Sequence, residues 1–209
     1  MAVGVDIGTM FLVKAQMDEV VGGASFISER NAFLQANTNV DTEDTLKENN
    51  WSYARHGDNF YILGEDAIRL KTLLGFSPSE QNKNITVAQV GELRRPMKDG
   101  ILNTSQEKQL SIAIIQKLIA NLIGPPSCPK ENLCFCAPGD PVDRNLSVVV
   151  HKSLLTSFLV SLGYDVECIP EALAIIFSER PVAADEKDPS GEAPHSGIAM
   201  SFGAGMCNI

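Results

Sequence analysis

Residues Val5-Asp6-Ile7-Gly8-Thr9 end the first of two apolar runs, residues 2–7 and 11–17, and begin the turn between them. The glycine and the flanking apolar residues predict two strands joined by a hairpin turn, in which Asp6 closes the first strand. Small residues in a turn expose backbone N–H groups that bind phosphate oxygens, and a neighbouring carboxylate suits hydrated magnesium. The stretch fits a phosphate-binding turn that carries its own acid, although a plain hairpin with a polar turn would have the same composition.

A second glycine turn stands at the other end of the chain, where residues 200–206 read Met-Ser-Phe-Gly-Ala-Gly-Met. Its glycines allow the backbone to approach a phosphate as closely as the first turn does. It contains no carboxylate, so it offers N–H groups to a phosphate but no charge to a metal ion. The two turns therefore differ in the property that a magnesium site needs.

The composition is that of an ordinary globular protein, with 209 residues, of which 44% are apolar and 21% are charged. This length allows one large domain or two small ones. The net charge of -9 argues against a general nucleic-acid-binding protein, because such proteins use basic surfaces to displace the counterions of phosphates. We therefore expect no nucleic-acid partner.

Neither the apolar runs nor the cysteines point to a membrane-spanning or secreted protein. No run approaches the roughly 20 residues that span a bilayer, and the N-terminus lacks a signal-peptide pattern. The five cysteines, an odd number without Cys-x-x-Cys spacing, fit reduced thiols, and His56, His151 and His195 have no partner at metal-ligand spacing. We expect a cytoplasmic protein without a transmembrane segment or a metal cluster, and leave peripheral membrane attachment open.

Alternating strand and helix patterns predict an α/β fold in which helices cover a mixed sheet. The best helix pattern covers residues 104–122, with Thr104 and Glu107 as a capping box. A second helix is predicted over residues 140–162, with Asp140 as its cap. The other predicted strands are residues 32–34, 60–64, 133–138, 164–169 and 197–202, the other helices residues 65–73 and 170–178, and the loops residues 35–52, 77–90 and 181–196.

Five segments, in order, resemble the superfamily of actins, heat-shock chaperones and sugar kinases, and within it most closely the bacterial actin homologue MreB. Residues 95–101, Arg-Pro-Met-Lys-Asp-Gly-Ile, are very similar to the "RPxKDGV" turn of MreB and are the most specific of the five. The other four are residues 6–9, similar to the first phosphate loop, residues 63–67, similar to a "GEEA" helix start, residues 136–138 with the helix that follows, and residues 170–176, similar to an "EEPxAAAIG" helix.

The resemblance implies a ribonuclease H-like, actin-type half with helices on both faces of its mixed sheet. Residues 1–34 and 96–209 would form the core subdomain, and residues 35–95 a small inserted subdomain. The second half of the family's fold, which contains most of the adenine pocket, would be absent from these 209 residues. We therefore expect no tight ATP binding by this chain alone.

The resemblance also implies ATP and magnesium as cofactors of the full-length protein. Asp6 would hold a magnesium-bound water, and Glu171 would position the water that attacks the phosphate. The implied phosphate-binding residues are Gly8, Thr9, Met10, Lys14, Gly203, Ala204 and Gly205.

Three of these roles have plainer alternatives. Glu171, at the start of its helix, could simply complement the helix dipole. Lys14 could be a solvated lysine at a strand end. Within the turn at residues 95–101, Lys98 and Asp99 are first of all good turn residues.

The second phosphate loop departs from the family's pattern at two positions. Ser201 stands where the family has an aspartate, and Met206 replaces a threonine. The expected function is an ATP-binding, actin-like cytoskeletal protein that assembles into filaments and hydrolyses ATP slowly or not at all. The alternatives are a non-hydrolysing scaffold on the same fold and a chaperone-like or sugar-kinase-like ATPase.

Overall fold

A computed structural model of the protein describes residues 2–18, 20, 22–36, 42–75, 90–103, 108–140, 148–178, 198–203 and 207–208. The strands are β1 (Ala2–Ile7), β2 (Phe11–Asp18), β3 (Gly23–Arg30), β4 (Phe33–Ala36), β5 (Tyr53–His56), β6 (Asn59–Leu63), β7 (Val90–Arg94), β8 (Met97–Lys98), β9 (Ile101–Leu102), β10 (Asn132–Ala137), β11 (Asp165–Pro170), β12 (Ser201–Phe202) and β13 (Cys207–Asn208). The helices are α1 (Thr42–Glu48), α2 (Gly64–Gly75), α3 (Lys108–Ile123), α4 (Val149–Ser161) and α5 (Glu171–Ser178).

The main sheet has five strands in the order β11-β10-β1-β2-β3. β1, β10 and β11 run parallel, whereas β2 and β3 are antiparallel to their neighbours. The predicted hairpin at Gly8 and Thr9 is confirmed as the connection between β1 and β2. The predicted fold class, an α/β fold with a mixed sheet, is therefore confirmed.

The main core lies on one face of this sheet. Val3, Val5 and Phe135 on the strands share a buried cluster with Leu118 of α3 and Leu155 of α4. Alternate residues of a strand point to opposite faces, so Gly4, Asp6 and Cys136 lie on the other face. That second face is more open, because these residues are only partly buried or exposed.

A second sheet, with strand order β5-β6-β4-β7, draws on residues 33–94, whereas the sequence predicts the boundaries of the inserted subdomain at 35 and 95. It has a core of its own beneath α1 and α2. The buried side chains of this core are Leu34, Leu46, Phe60, Ile62, Ala67 and Leu70. The second sheet thus has its own core. In the chain, its segment is inserted between β3 and the β8–β9 hairpin.

Several parts of the fold differ from the sequence prediction, among them β5 and β7, which the sequence does not predict. β3 is not predicted, because its residues are mostly exposed at the sheet edge and show no alternation of burial. α1 lies inside the predicted loop 35–52. The helix predicted over residues 140–162 is described from Val149, residues 141–147 of it lie outside the described ranges, and Asp140 accepts a hydrogen bond from the N–H of Val148 at 3.1 Å.

Other predictions lie partly outside the described residues. The capping box of Thr104 and Glu107 is one of them, and the described helix α3 starts at Lys108. The predicted strand 197–202 is present only as the two residues of β12, which pair with β13 in a small antiparallel hairpin. The predicted loops at 77–90 and 181–196 fall almost entirely outside the described ranges.

Gly64 connects the second sheet to the main one. Its φ of +62° lies in the left-handed region, and a Cβ at this position would overlap the carboxylate of Glu29 from β3. That carboxylate accepts a hydrogen bond from the N–H of Glu65 at 2.7 Å and so caps the N-terminus of α2. Glycine is therefore favoured at the start of α2 by the left-handed backbone, and a side chain there would also displace the Glu29 carboxylate that caps the helix.

Candidate functional site

The carboxyl ends of three parallel strands meet at one edge of the main sheet. Asp6 is paired with Cys136 across β1 and β10, and Cys136 with Ile169 across β10 and β11. Glu171 begins α5 directly after the last residue of β11, Pro170. The topology therefore brings Asp6 and Glu171 to the same edge, where ligands of open α/β sheets commonly bind.

The carboxyl group of Asp6 lies in a partly desolvated position that solvent still reaches. Desolvation raises its pKa above the ordinary value for aspartate. In the described part of the chain, no basic side chain forms a salt bridge with it. A bound cation would offset this desolvation, so the residue is suited to a metal-facing role.

Cys136 stands beside Asp6 on the same face of the sheet. Burial, together with the nearby charges of Asp6 and Glu171, raises the pKa of its thiol to about 12. The thiol is therefore neutral and unreactive at physiological pH. It adds no negative charge beside the two carboxylates.

The turn after β1 is narrow, and a backbone hydrogen bond between its two ends closes it. The N–H of Gly8 donates to the carbonyl of Phe11 at 3.0 Å, and a Cβ on Gly8 would lie 2.9 Å from that carbonyl oxygen. A larger residue at this position would therefore force the hairpin open. Gly8 is required by the turn itself, and its N–H, which is bonded to Phe11, is not available to a phosphate, contrary to the sequence prediction.

Asn31, directly after β3, donates two hydrogen bonds to carbonyl groups of this turn. Its side-chain amide donates to the carbonyl of Gly8 at 2.8 Å, and its backbone N–H donates to the carbonyl of Met10 at 3.0 Å. The residue is completely buried. Fixing both carbonyls orients the intervening peptide groups, so Asn31 is the residue that sets the shape of the turn.

The turn at residues 95–101 is hydrogen-bonded to the first turn. The N–H of Gly100 donates to the hydroxyl of Thr9 at 3.0 Å. Asp99 and Gly100 both have positive φ, of 51° and 76°, as a two-residue hairpin loop between β8 and β9 requires. The Asp-Gly pair thus has the turn role that its composition indicates, and its glycine also contacts Thr9, one of the phosphate-binding candidates.

Both connections between the two sheets therefore hold the first turn. The chain enters the second sheet through Asn31, which binds Gly8 and Met10, and returns through Gly100, which binds Thr9. A displacement of either connection would therefore break or bend a hydrogen bond to this turn.

The structure does not bring Lys14 to the candidate site. Lys14 is paired with Val5 across β1 and β2, so it lies on the face opposite to Asp6. Its Nζ donates to the carbonyl of Ile123 at the end of α3, at 3.2 Å. The lysine thus binds a free carbonyl at the C-terminus of α3. This geometry does not support the expectation that it reaches a phosphate.

Only part of the second turn is described. Ser201 pairs with Asn208 across the β12–β13 hairpin, which has Gly203 at the start of its turn. Ala204, Gly205 and Met206 lie outside the described residues. β12 packs near α5, the helix that begins at Glu171.

Asn31 and His151 are structurally important residues that the sequence analysis does not identify. His151 of α4 is buried, and its Nδ1 accepts a hydrogen bond from the N–H of Leu102 at 3.2 Å. Through β9 it therefore supports the hairpin that holds Thr9. No motif marks a single asparagine or histidine for such roles, since both depend on contacts between distant parts of the chain.

Comparison with solved structures identifies the fold as actin-like. A chain of the "MamK double helical filament" matches with a TM-score of 0.50 and 16% sequence identity, over 84% of this chain and 42% of the MamK chain. This chain therefore spans less than half the length of that neighbour.

The protein belongs to the Volactin family, whose family model matches residues 1–209. A search of curated proteins gave no significant match. None of the described helices is long and apolar enough to cross a membrane.

Proposed function

We propose that the protein is a nucleotide-binding, actin-like cytoskeletal protein that assembles with copies of itself. The observation that carries this proposal is the meeting of Asp6, the narrow Gly8 turn and Glu171 at the carboxyl edge of one parallel set of strands. The actin-like fold and a structural neighbour whose title names a double helical filament support the self-assembly. The closer likeness to MreB rests on the turn at residues 95–101.

In this proposal the first turn and the second turn bind the phosphates of ATP. Thr9 and Met10 would present backbone N–H groups while Gly8, whose N–H is bonded to Phe11, would keep the turn tight, and Gly203, Ala204 and Gly205 would present N–H groups from the other side. Asp6 would hold magnesium through water, and Glu171 would orient the attacking water. The magnesium ion, when bound, neutralises charge on the phosphate oxygens.

We further propose that these 209 residues correspond to the first half of an actin-type fold. The match to 42% of the MamK chain supports this, and so does the presence of one main sheet with one inserted sheet. The nucleotide would then bind between this half and a second half. A cytoplasmic location fits both proposals.

Replacing Asp6 by asparagine should weaken magnesium-dependent ATP binding by about tenfold or more in the full-length protein, because a charged ligand of the hydrated metal is lost. Titration with a fluorescent ATP analogue, with and without magnesium, measures this. Asp18→Asn, at the far end of the same hairpin, is the matched control and should bind normally.

Unchanged affinity in Asp6→Asn would remove Asp6 from the site. Absence of both nucleotide binding and sedimentable polymer in the wild type would overturn the proposed function. The 209-residue chain alone should bind ATP much more weakly than the full-length protein, and micromolar binding by this part would contradict the division of the site between two halves.

A non-hydrolysing scaffold on the same fold is the second candidate, because Ser201 is neutral and cannot supply a carboxylate near the metal. Ser201→Asp should raise phosphate release from near background if the loss of this acid is what limits hydrolysis. A wild type that already hydrolyses ATP at a rate similar to the variant would exclude the scaffold.

A further inference from the structure

Most of β3 forms an open edge of the main sheet. Among the described strands, β3 pairs only with β2. The consecutive residues 24–28 are all exposed, so neither face of the strand is covered there. Phe26 and Ile27 point to opposite faces, and they are 69% and 56% exposed. A strand edge with uncovered apolar side chains on both faces is a place where a further strand can add to the sheet.

This edge lacks the features that usually prevent strands of different molecules from pairing. Residues 23–28, Gly-Ala-Ser-Phe-Ile-Ser, include no charged residue and no proline, and β3 pairs with β2 in one continuous register without a bulge. The opposite edge of the sheet, β11, carries Asp165 and Glu167 and ends in Pro170. The β11 edge is therefore protected against pairing in a way that the β3 edge is not.

The free part of β3 ends before Glu29. The carboxylate of Glu29 accepts the hydrogen bond from the N–H of Glu65 at the start of α2, at 2.7 Å. The guanidinium of Arg30 lies over the ring of Phe11, 4.2 Å from the ring centre. Because these two residues already make contacts within the chain, an added strand is limited to the stretch 23–28.

The charge of the chain decides where two copies can approach each other. Molecules that each carry a net charge of -9 repel, and like charges directly opposite each other in a sheet are destabilising. Two β11 edges would set acidic residues against acidic residues. Two β3 edges would bring together only the neutral stretch 23–28, so this edge allows a second copy to pair.

The side chains of this stretch are complementary to themselves in one antiparallel register. When a two-fold axis passes through Ser25, Phe26 of one copy lies opposite Ala24 of the other, and Ile27 lies opposite Gly23. Each pair sets a large side chain against a small one on the same face of the sheet. A register centred on Ile27 would instead place Ser25 opposite Glu29, which is bonded to α2.

We propose that β3 pairs antiparallel with β3 of a second copy of this chain, in the register centred on Ser25, so that the two main sheets join into one. A two-fold contact of this kind closes on two copies and cannot extend a polymer by itself. It is therefore separate from the contacts that would propagate a filament. It also uses no residue of the candidate nucleotide site, so this proposal and the proposed function can fail independently.

Cysteine cross-linking of the full-length protein tests the register. Cys128 and Cys207, which are exposed, are first replaced by serine to give the background protein. Ser25→Cys in this background should form a covalent dimer with copper phenanthroline as oxidant, because the two sulfurs face each other across the two-fold axis. Ser28→Cys, also exposed on β3, is the matched control and should not cross-link, since its two copies would lie roughly 20 Å apart along the paired strands.

A lysine at the edge tests the pairing itself. Ile27→Lys, added to the Ser25→Cys protein, should slow dimer formation about tenfold or more, because apolar contact is lost and both copies gain a charge at the edge. Val160→Lys on α4 is the matched control and should have no effect, since Val160 is 52% exposed on another surface.

Equal cross-linking of Ser25→Cys and Ser28→Cys, or an unchanged rate with Ile27→Lys, would overturn the pairing. Sedimentable polymer from a Ser25→Cys protein that does not cross-link would overturn it too, while leaving the proposed self-assembly intact. A specific Ser25→Cys dimer from a protein that neither binds nucleotide nor forms polymer would support the pairing and overturn the proposed function.

Discussion

Replacing Asn31 by aspartate should lower the free energy of unfolding by about 3 kcal/mol or more at pH 7.5. Asn31 is completely buried, and its amide N–H donates to the carbonyl of Gly8 at 2.8 Å. An ionised aspartate has the same shape but no donor, so it would set a buried negative charge against a carbonyl oxygen. Urea unfolding of the variant and the wild type measures the difference.

Asn49→Asp is the matched control for this substitution. Its amide also donates to a backbone carbonyl, that of Thr45 at 2.7 Å, but the residue is exposed. Water can replace that bond, so the cost should stay below about 1 kcal/mol. Equal losses in the two variants would show that Asn31 does not hold the first turn.

Acidic pH should partly restore the Asn31→Asp variant relative to the wild type. Burial raises the pKa of a carboxyl group, and the protonated form again has a donor for the carbonyl of Gly8. The stability deficit of the variant should therefore shrink as the pH falls from 7.5 towards 5. A cavity or a packing defect at this position would give a deficit that does not depend on pH.

The strands and helices with a strong local pattern could be predicted from the sequence. β1, β10 and α3 each bury a regular set of apolar side chains, and such a set is visible in the sequence without knowledge of the neighbours. β3 could not be predicted in this way, because hydrogen bonds to β2 define it and most of its side chains remain exposed. α1 lacks a recognisable apolar pattern for a similar reason, since its buried residues are only Thr42 and Leu46.

Only part of the candidate site is predictable from the sequence, because some of its residues belong to a local motif and others depend on contacts between distant segments. Asp6 and Gly8 belong to one local motif, and their closeness needs no tertiary contact. Lys14 depends on the register of β1 and β2, and a shift of one residue moves a side chain to the other face of a sheet. Asn31 depends on a contact across 23 residues, which no sequence pattern encodes.

Lowering the pH from 6.5 to 4 should destabilise the protein through His151 by about 3 kcal/mol, beyond the effects of other groups. The residue is buried in α4, and its Nδ1 accepts a hydrogen bond from the N–H of Leu102. The neutral ring therefore carries its proton on Nε2, which has no hydrogen-bond partner in the described structure. Protonation of Nδ1 would set its N–H against the N–H of Leu102. The hydrogen bond that supports β9 would then be lost.

Desolvation, and to a smaller extent the charge of Lys152, lowers the pKa of His151 to about 4, from an ordinary value of 6.5. The unfolded chain therefore binds a proton between pH 6.5 and 4 while the folded protein does not. The contribution of His151 to stability is complete above pH 6.5 and is lost progressively as the pH falls towards 4. The slope approaches 1.4 kcal/mol per pH unit at most, for one proton.

His151→Asn separates this effect from the titration of carboxylates. The asparagine Oδ1 can accept the N–H of Leu102 in place of Nδ1, but it does not ionise in this range. The variant should be less stable than the wild type at pH 7.5 because packing is lost, and this difference should shrink or reverse by pH 4.5. Urea unfolding at half-unit pH steps gives both curves. Parallel curves for the two proteins would mean that His151 is not the group that couples folding to pH, whereas converging curves would place the coupling at the contact between α4 and β9.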